Sequence, residues 1–266
     1  MMNLKQNSKK QRNNKLNYKN YLKKNKSQIA VWGSGYIGLS TMAFFSKKRI
    51  KCVGFDIDQK KVDIINSGKL PIKELKSWFG FDIKNSVKEK YLQATNNHTI
   101  FNDNSFNVHF VAIPTEKNGK PFFDILFNVL KKLTLIIKKK NKIKPVIIIE
   151  STLTPQCSEK KIIPFFKKYN LVPGKDFIYG VAPRRDWFVE GTKSLVDIDR
   201  VFGSTDPTSS KIIKDILSIV CKNLHEASSH KVSEMVKSIE NAYRHMEITL
   251  ANQLSLAYPN ENMREV

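Results

Sequence analysis

The chain has 266 residues, enough for one large α/β domain, or one domain and part of a second, with a substantial core. Its formal net charge of +22 would suit nucleic acid or an acidic membrane if the cations formed a stripe. They do not: residues 1–28 hold eight Lys and one Arg with no acid, residues 131–144 add seven Lys, and the rest are scattered, so neither partner is expected.

The segment 1–28 has almost no apolar residues and no period, so it is expected to be a basic disordered tail. No apolar stretch follows its basic start, which argues against a secretory signal. The longest apolar runs, such as Val146 to Ile149, are too short to span a bilayer. Cys52, Cys157 and Cys221 form an odd set without metal-ligand spacing, which suits a reducing cytoplasm, and the five histidines show no metal spacing either.

From Gln28 the pattern changes. IAVWGSGYIGLSTMAFFSKKR predicts a buried strand, a glycine turn and a helix, and KCVGFDID predicts a second strand ending in acids. DQKKVDIINSG predicts a helix with Val62, Ile64 and Ile65 inward, stopped at Gly68. Residues 69–98 carry no strong period beyond a short helix near 86–91. Then FNVHFVAIPT is a strand, FFDILFNVLKKLTLIIKKK an amphipathic helix, and KPVIIIEST a buried strand. SEKKIIPFFKKY (helix), DFIYGVAP (strand) and SSKIIKDILSIVCK (helix) continue the alternation.

Strands alternating with helices of this length predict a doubly wound parallel sheet covered on both faces. The last segment, HKVSEMVKSIENAYRHMEITLANQLSLAY, is a long amphipathic helix with no breaker before Pro259. It is expected to open a second, helical domain or to form a dimer interface. The predicted organisation is a tail at 1–28, a domain at 29–229, and the start of a helical domain at 230–266.

Gly33-Ser34-Gly35-Tyr36-Ile37-Gly38 sits between a predicted strand and a predicted helix, the context that gives such a glycine pattern meaning. Gly33 permits the tight turn, Gly35 lets the backbone approach a pyrophosphate, and Gly38 allows close packing of the helix whose N-terminus favours the anion. Asp56 ends the next strand, 23 residues after Gly33, where a carboxylate accepts both ribose hydroxyls and repels a 2′-phosphate. The unit is therefore of Rossmann type and favours NAD over NADP, a preference tempered by Lys60 and Lys61.

Val111-Ala112-Ile113-Pro114-Thr115 ends a strand at the carboxyl edge of the sheet, where ligands of open α/β folds bind. Thr115 can hold a water or a cofactor hydroxyl, or simply cap the strand. Glu150 follows four apolar residues, a costly place for a carboxylate unless it has a chemical role or a partner; it can activate a water or cap a helix. Lys237 and Asn241, spaced i, i+4, can reach one oxyanion, although the same spacing fits a solvated face. Cys157 follows Pro155 at a polar helix start, with no neighbouring histidine to activate it. The expected cofactor contacts are Gly33, Gly35, Tyr36, Ile37, Gly38, Asp56, Lys61, Pro114, Thr115, Ser151 and Thr152.

Together, VWGSGYIGL, FDIDQKKVDIINSGKLPIKE, IPTE, IESTLTP, RVFG and SEMVKSIENAYRHMEITLANQL, in this order, resemble the nucleotide-sugar dehydrogenases that act on UDP-glucose, UDP-N-acetylmannosamine or GDP-mannose. The resemblance implies an NAD-binding domain, a long central helix used for dimerisation, and a C-terminal domain that binds the nucleotide of the substrate. It also implies a four-electron oxidation of a sugar alcohol to a carboxylate, with two NAD reduced, for polysaccharide precursors. In that chemistry Thr115 and Glu150 assist the water and proton steps, and Lys237 and Asn241 stabilise the oxyanion.

The chain departs from that family in two places. Where the family has a Pro-Glu-Arg type motif, this chain reads Ala182-Pro183-Arg184-Arg185-Asp186-Trp187, and Arg184 or Arg185 can pair with a substrate diphosphate. The family's glycine-rich motif with the catalytic cysteine lies beyond Val266, and without that thiol no thiohemiacetal forms. The expectation is a fragment, a split-gene half or a remnant that binds NAD and is inactive alone, with a separate chain as one source of the missing domain. Two other readings stay open: a non-catalytic NAD-binding or dimerisation module, and a short hydroxyacid-type dehydrogenase.

Overall fold

A computed structural model describes residues 17–139, 143–186, 194–263 and 265. Its centre is a sheet whose inner strands are apolar on both faces, as a parallel sheet between helices requires. Strands β1 (Gln28–Trp32), β2 (Cys52–Phe55), β3 (Leu92–Thr95), β4 (Phe106–Val111), β7 (Val146–Ile149), β8 (Ile178–Val181), β9 (Arg200–Ser204) and β10 (Leu224–Glu226) lie in the order β10-β9-β8-β7-β4-β1-β2-β3. A separate hairpin of β5 (Glu116–Lys117) and β6 (Lys120–Pro121) follows β4.

Alternate residues of each strand point to opposite faces. Val31, Phe110 and Ile148 therefore join one apolar cluster with helices α2 (Tyr36–Lys47) and α8 (Pro207–Leu217). Trp32, Val111 and Ile149 join the other, with α6 (Asp124–Lys139) and α7 (Ile163–Lys167). The reversal of strand order lies between β1 and β4, where a ligand crevice forms in open α/β sheets.

The wholly parallel expectation fails at one edge: β9 runs antiparallel to β8, and β10 is parallel to β9. A parallel return needs a crossover helix, and no helix is found between β8 and β9 among the described residues.

The tail expectation also needs correcting from residue 17 onward. Asn17 caps helix α1 (Tyr18–Lys23), whose Tyr18 and Leu22 are buried, with the Tyr18 hydroxyl donating to the Lys144 carbonyl at 2.7 Å. Two apolar residues four apart on one helical face suffice to dock a single turn and a half, although the surrounding composition is polar. Residues 1–16 lie outside the described residues.

In α3 (Gln59–Asn66) Val62 and Ile65 are buried, whereas Ile64, expected inward, is 38% exposed. The unassigned stretch holds α4 (Glu74–Phe79), α5 (Lys84–Lys88) and β3, a short edge strand too brief to show a period. α7 is preceded by one π turn at Ser158–Ile162, where Pro164, lacking an N–H, interrupts the regular ladder. The final helix α9 runs from His230 to Ala257 as expected, but buries only His230, Ser233 and Glu234. No described helix is long and apolar enough to cross a membrane.

Candidate functional site

The glycine turn joins β1 to α2 and lines a cavity of about 880 Å³ at the carboxyl edge of the sheet. Gly33 has φ +95°, and a Cβ there would lie 2.4 Å from the Ala112 carbonyl oxygen. A Cβ on Gly38 would stand 1.8 Å from the Gly33 carbonyl oxygen, so α2 can approach β1 only with glycine at that position. Gly35 differs: a Cβ would meet nothing within 4 Å, and the residue lines the cavity. It also caps α2 without a side-chain hydrogen bond, leaving first-turn N–H groups to bind an anion.

Asp56 closes one end of the cavity. Its carboxylate accepts the Ser34 and Asp58 backbone N–H groups, each at 3.1 Å, and pairs with Lys61 at 2.9 Å. The same acid thus fixes the glycine turn and presents charge to the cavity. Exposed Ile57 and half-buried Lys132 line the wall nearby, the latter with its pKa lowered by burial. A glycine cradle open to the cavity, a helix N-terminus and an aligned carboxylate fit the diphosphate and ribose of NAD.

The other end holds Glu150, Arg184, Asp186 and Lys237. Glu150 is buried; its carboxylate accepts from the Thr41 hydroxyl at 2.6 Å and from Arg200, and lies 3.7 Å from Arg184. Both oxygens are therefore engaged, and the acid expected to be poised on a water is held between two guanidiniums. The Lys237 ammonium has no hydrogen bond or ion pair among the described residues, and its pKa is lowered, chiefly by desolvation.

Two hydroxyls tie the β4 and β7 loops together beneath the cavity. Ser151 accepts from the Ile113 N–H at 2.9 Å and donates to the Ile113 carbonyl at 2.8 Å, while Thr115 donates to the Thr152 carbonyl at 2.5 Å. Most residues expected from sequence thus meet in one cavity: Gly33, Gly35, Tyr36, Ile37, Asp56, Lys61, Pro114, Thr115, Glu150, Ser151, Thr152, Arg184 and Lys237. Gly38 lies beneath it, as its packing role demands.

Three placements differ from expectation. Arg184 is buried and spent on Ser40 (2.7 Å), Thr41 (2.8 Å) and Asp186, so it has no free edge for a diphosphate. Arg185 instead grips Glu240 of α9 at 2.6 and 3.0 Å. Asn241 is exposed and does not line the cavity, on a stretch of α9 that buries no residue after Glu234. Trp187 lies outside the described residues.

Sequence reasoning gave no role to Arg200, although RVFG was singled out; it also missed Ser40 and Thr41 on α2, and Lys132 was only one member of a basic run. All three cysteines are free and buried. Burial, then Glu234, pushes the Cys157 thiol up to about 11, and burial also raises Cys52 and Cys221. None is an activated nucleophile. Among the described residues no group of His, Cys, Asp and Glu is arranged to hold a metal.

An open sheet with this glycine turn, ribose-facing acid and crevice defines a dinucleotide-binding domain. Residues 27–220 match the NAD-binding domain of the UDP-glucose/GDP-mannose dehydrogenase family, and the chain belongs to that family. Protein CapL of Staphylococcus aureus is 33% identical over 237 residues, covering 86% of this chain and 52% of its own length. The UDP-N-acetyl-D-glucosamine 6-dehydrogenase of Pseudomonas aeruginosa is 28% identical, covering 87% and 53%. The structure of a UDP-N-acetyl-mannosamine dehydrogenase from S. aureus superposes with a TM-score of 0.74 at 24% identity over 88% of this chain and 55% of that one, which shows the shared fold. The chain spans about half the length of the curated relatives it matches.

Proposed function

We propose that this chain carries the NAD-binding half of a nucleotide-sugar dehydrogenase that oxidises a sugar alcohol of a UDP-sugar to a carboxylate for polysaccharide precursors. The observation that supports this most is that one cavity is lined by the glycine turn and Asp56 and also by Lys237 and Glu150. NAD, when bound, supplies the hydride acceptor for each of the two oxidation steps. At the far end the Lys237 ammonium, which has no ion pair among the described residues, stabilises negative charge on the reacting oxygen. Glu150 holds Arg184 and Arg200 in place, and Thr115 releases its bond to the Thr152 carbonyl to hold a water or hydroxyl. Asn241 joins Lys237 when α9 is covered by a partner.

That cover is a second copy of this chain. Val232, Met235, Ile239, Tyr243, Met246 and Leu250 form an exposed apolar stripe at helical spacing along α9, which favours a homodimer through 230–258. The relatives are about twice as long as this chain, and the nucleotide of the substrate is bound by a part that corresponds to their remaining length, in further sequence or in a separate chain. Three free buried cysteines suit a cytoplasmic setting.

Reduction of NAD, followed by absorbance with a panel of UDP-sugars and of 2- and 3-hydroxyacids, tests the reading. The chain alone is expected to bind NAD and to leave it unreduced with every UDP-sugar. Turnover with a hydroxyacid would favour a short dehydrogenase instead, and turnover with a UDP-sugar would refute the need for any part beyond these 266 residues.

A further inference from the structure

The first half of α9 carries four charged residues on the face turned to the domain: Glu234, Lys237, Glu240 and Arg244, spaced three or four apart. On a helix such neighbours ordinarily pair with one another, and a lysine flanked by acids at both i−3 and i+3 should be neutralised by one of them. Lys237 is not. Glu234 is buried and accepts the Ser158 backbone N–H at 2.9 Å. Glu240 accepts Nε and Nη2 of Arg185, from the loop after β8, at 2.6 and 3.0 Å, and its remaining contact is with Arg244 at 3.3 Å. Glu240 is therefore held by the two arginines and Glu234 by the Ser158 N–H through Oε1, its Oε2 having no hydrogen bond among the described residues, and the ammonium between them lines the cavity.

The Arg185 contact is the more consequential of the two. A planar guanidinium that engages both carboxylate oxygens fixes the orientation of the acid as well as its position, which a lysine at the same place would not do. Its location matters too, because α9 buries nothing past Glu234 and the Arg185–Glu240 bond therefore tethers the turn that bears Lys237. The charged groups around Lys237 are Glu240 and Arg244 from α9 with Asp186 and Arg185 from the loop after β8, and Glu150 and Arg184 lie on the same cavity wall.

We propose that Arg185 is a positioning residue for Lys237: by clamping Glu240 it keeps that acid from pairing with the lysine, so that the ammonium stays available to a ligand in the cavity. The functional meaning of an available ammonium rests on the dehydrogenase reading above, but the clamp itself does not. Loss of Arg185 frees one edge of Glu240, which then turns toward Lys237 and holds it charged.

Competitive labelling with acetic anhydride at about pH 8, resolved by peptide mass spectrometry, reads the free-amine fraction of Lys237 in the purified chain. In Arg185→Ala, Lys237 is expected to label about two- to fivefold more slowly than in the parent. In Glu240→Gln it should label at least as fast as the parent, and the double variant Arg185→Ala/Glu240→Gln should recover the parent rate. Thermal melting verifies that each variant is folded. If Arg185 merely braced the helix, its loss would expose Lys237 and speed its labelling, so a rate in Arg185→Ala equal to or above the parent overturns the proposal. Slowed labelling that persists in the double variant overturns it as well, because Glu240 would then not be the cause. None of these rates depends on whether a UDP-sugar is oxidised, so a failed clamp and a failed functional reading give different results.

Discussion

Two alanine substitutions, three residues apart in the glycine turn, are expected to fail in opposite ways. In Gly38→Ala the new methyl would lie 1.8 Å from the Gly33 carbonyl oxygen and 3.1 Å from a Val31 methyl, and neither neighbour can move without shifting β1 or α2. Overpacking of that kind against backbone costs about 3 kcal/mol or more, roughly 6–12 °C of melting temperature for a domain of this size. In Gly35→Ala the methyl meets nothing within 4 Å, and the backbone there (φ −77°, ψ −162°) suits alanine. A poorer cap and a less flexible unfolded chain nearly offset each other, each worth up to about 1 kcal/mol. Its melting temperature should stay close to that of the parent. The methyl instead occupies the space through which a diphosphate approaches the backbone, so NAD affinity should fall at least tenfold, about 1.4 kcal/mol. Melting curves and calorimetry with NAD on the same preparations read both effects. Parental affinity in a stable Gly35→Ala, or parental stability in Gly38→Ala, would refute the assignment of the two glycines.

Glu150→Gln leaves Arg184 and Arg200 buried with one counter-charge fewer, and should destabilise by about 3–5 kcal/mol in a urea titration. Asp56→Ser releases Lys61 from its ion pair and removes the acid that repels a 2′-phosphate; the ratio of NADP to NAD affinity should rise, read by calorimetry with each cofactor. His109 is fully buried, and desolvation lowers its pKa to about 4. The unfolded chain therefore takes up a proton below about 6.5, and the folded one only near 4. Stability should fall as pH drops through that window, by about 2 kcal/mol between pH 6.5 and 5. Urea titrations at both pH values should show this loss in the parent and not in His109→Gln, once each is referenced to its own value at pH 6.5.

What was legible in the sequence follows from range. The βαβ unit from Gln28 to Asp56 could be read because its signals are local: a buried strand, a turn whose glycines each answer a steric demand, and an acid ending the next strand. Thr115, Ser151 and Thr152 were placed correctly at the sheet edge, since strand ends can be read from apolar runs. The arginines could not be assigned in this way. Arg184 and Arg185 are adjacent, yet one is drawn under α2 by Ser40 and Thr41 and the other outward to Glu240, choices set by residues more than fifty positions away. Arg200 meets Glu150 across 50 residues for the same reason. Helix α1 was missed because two buried side chains decide its fate while composition is averaged over the whole segment. The reversed edge strand β9 was missed because sequence alternation does not show whether a connection crosses over.

The central claim is that the cavity at the carboxyl edge holds NAD with its adenine ribose on Asp56. Isothermal calorimetry of the chain with NAD and with ADP-ribose, in parent and Asp56→Ala, tests it most directly. The parent should bind both ligands at concentrations up to ~1 mM, and Asp56→Ala should lose most of its affinity for both, since the acid is assigned to the half they share. No heat from either ligand in the folded parent, or undiminished binding of both in a folded Asp56→Ala, would contradict the account.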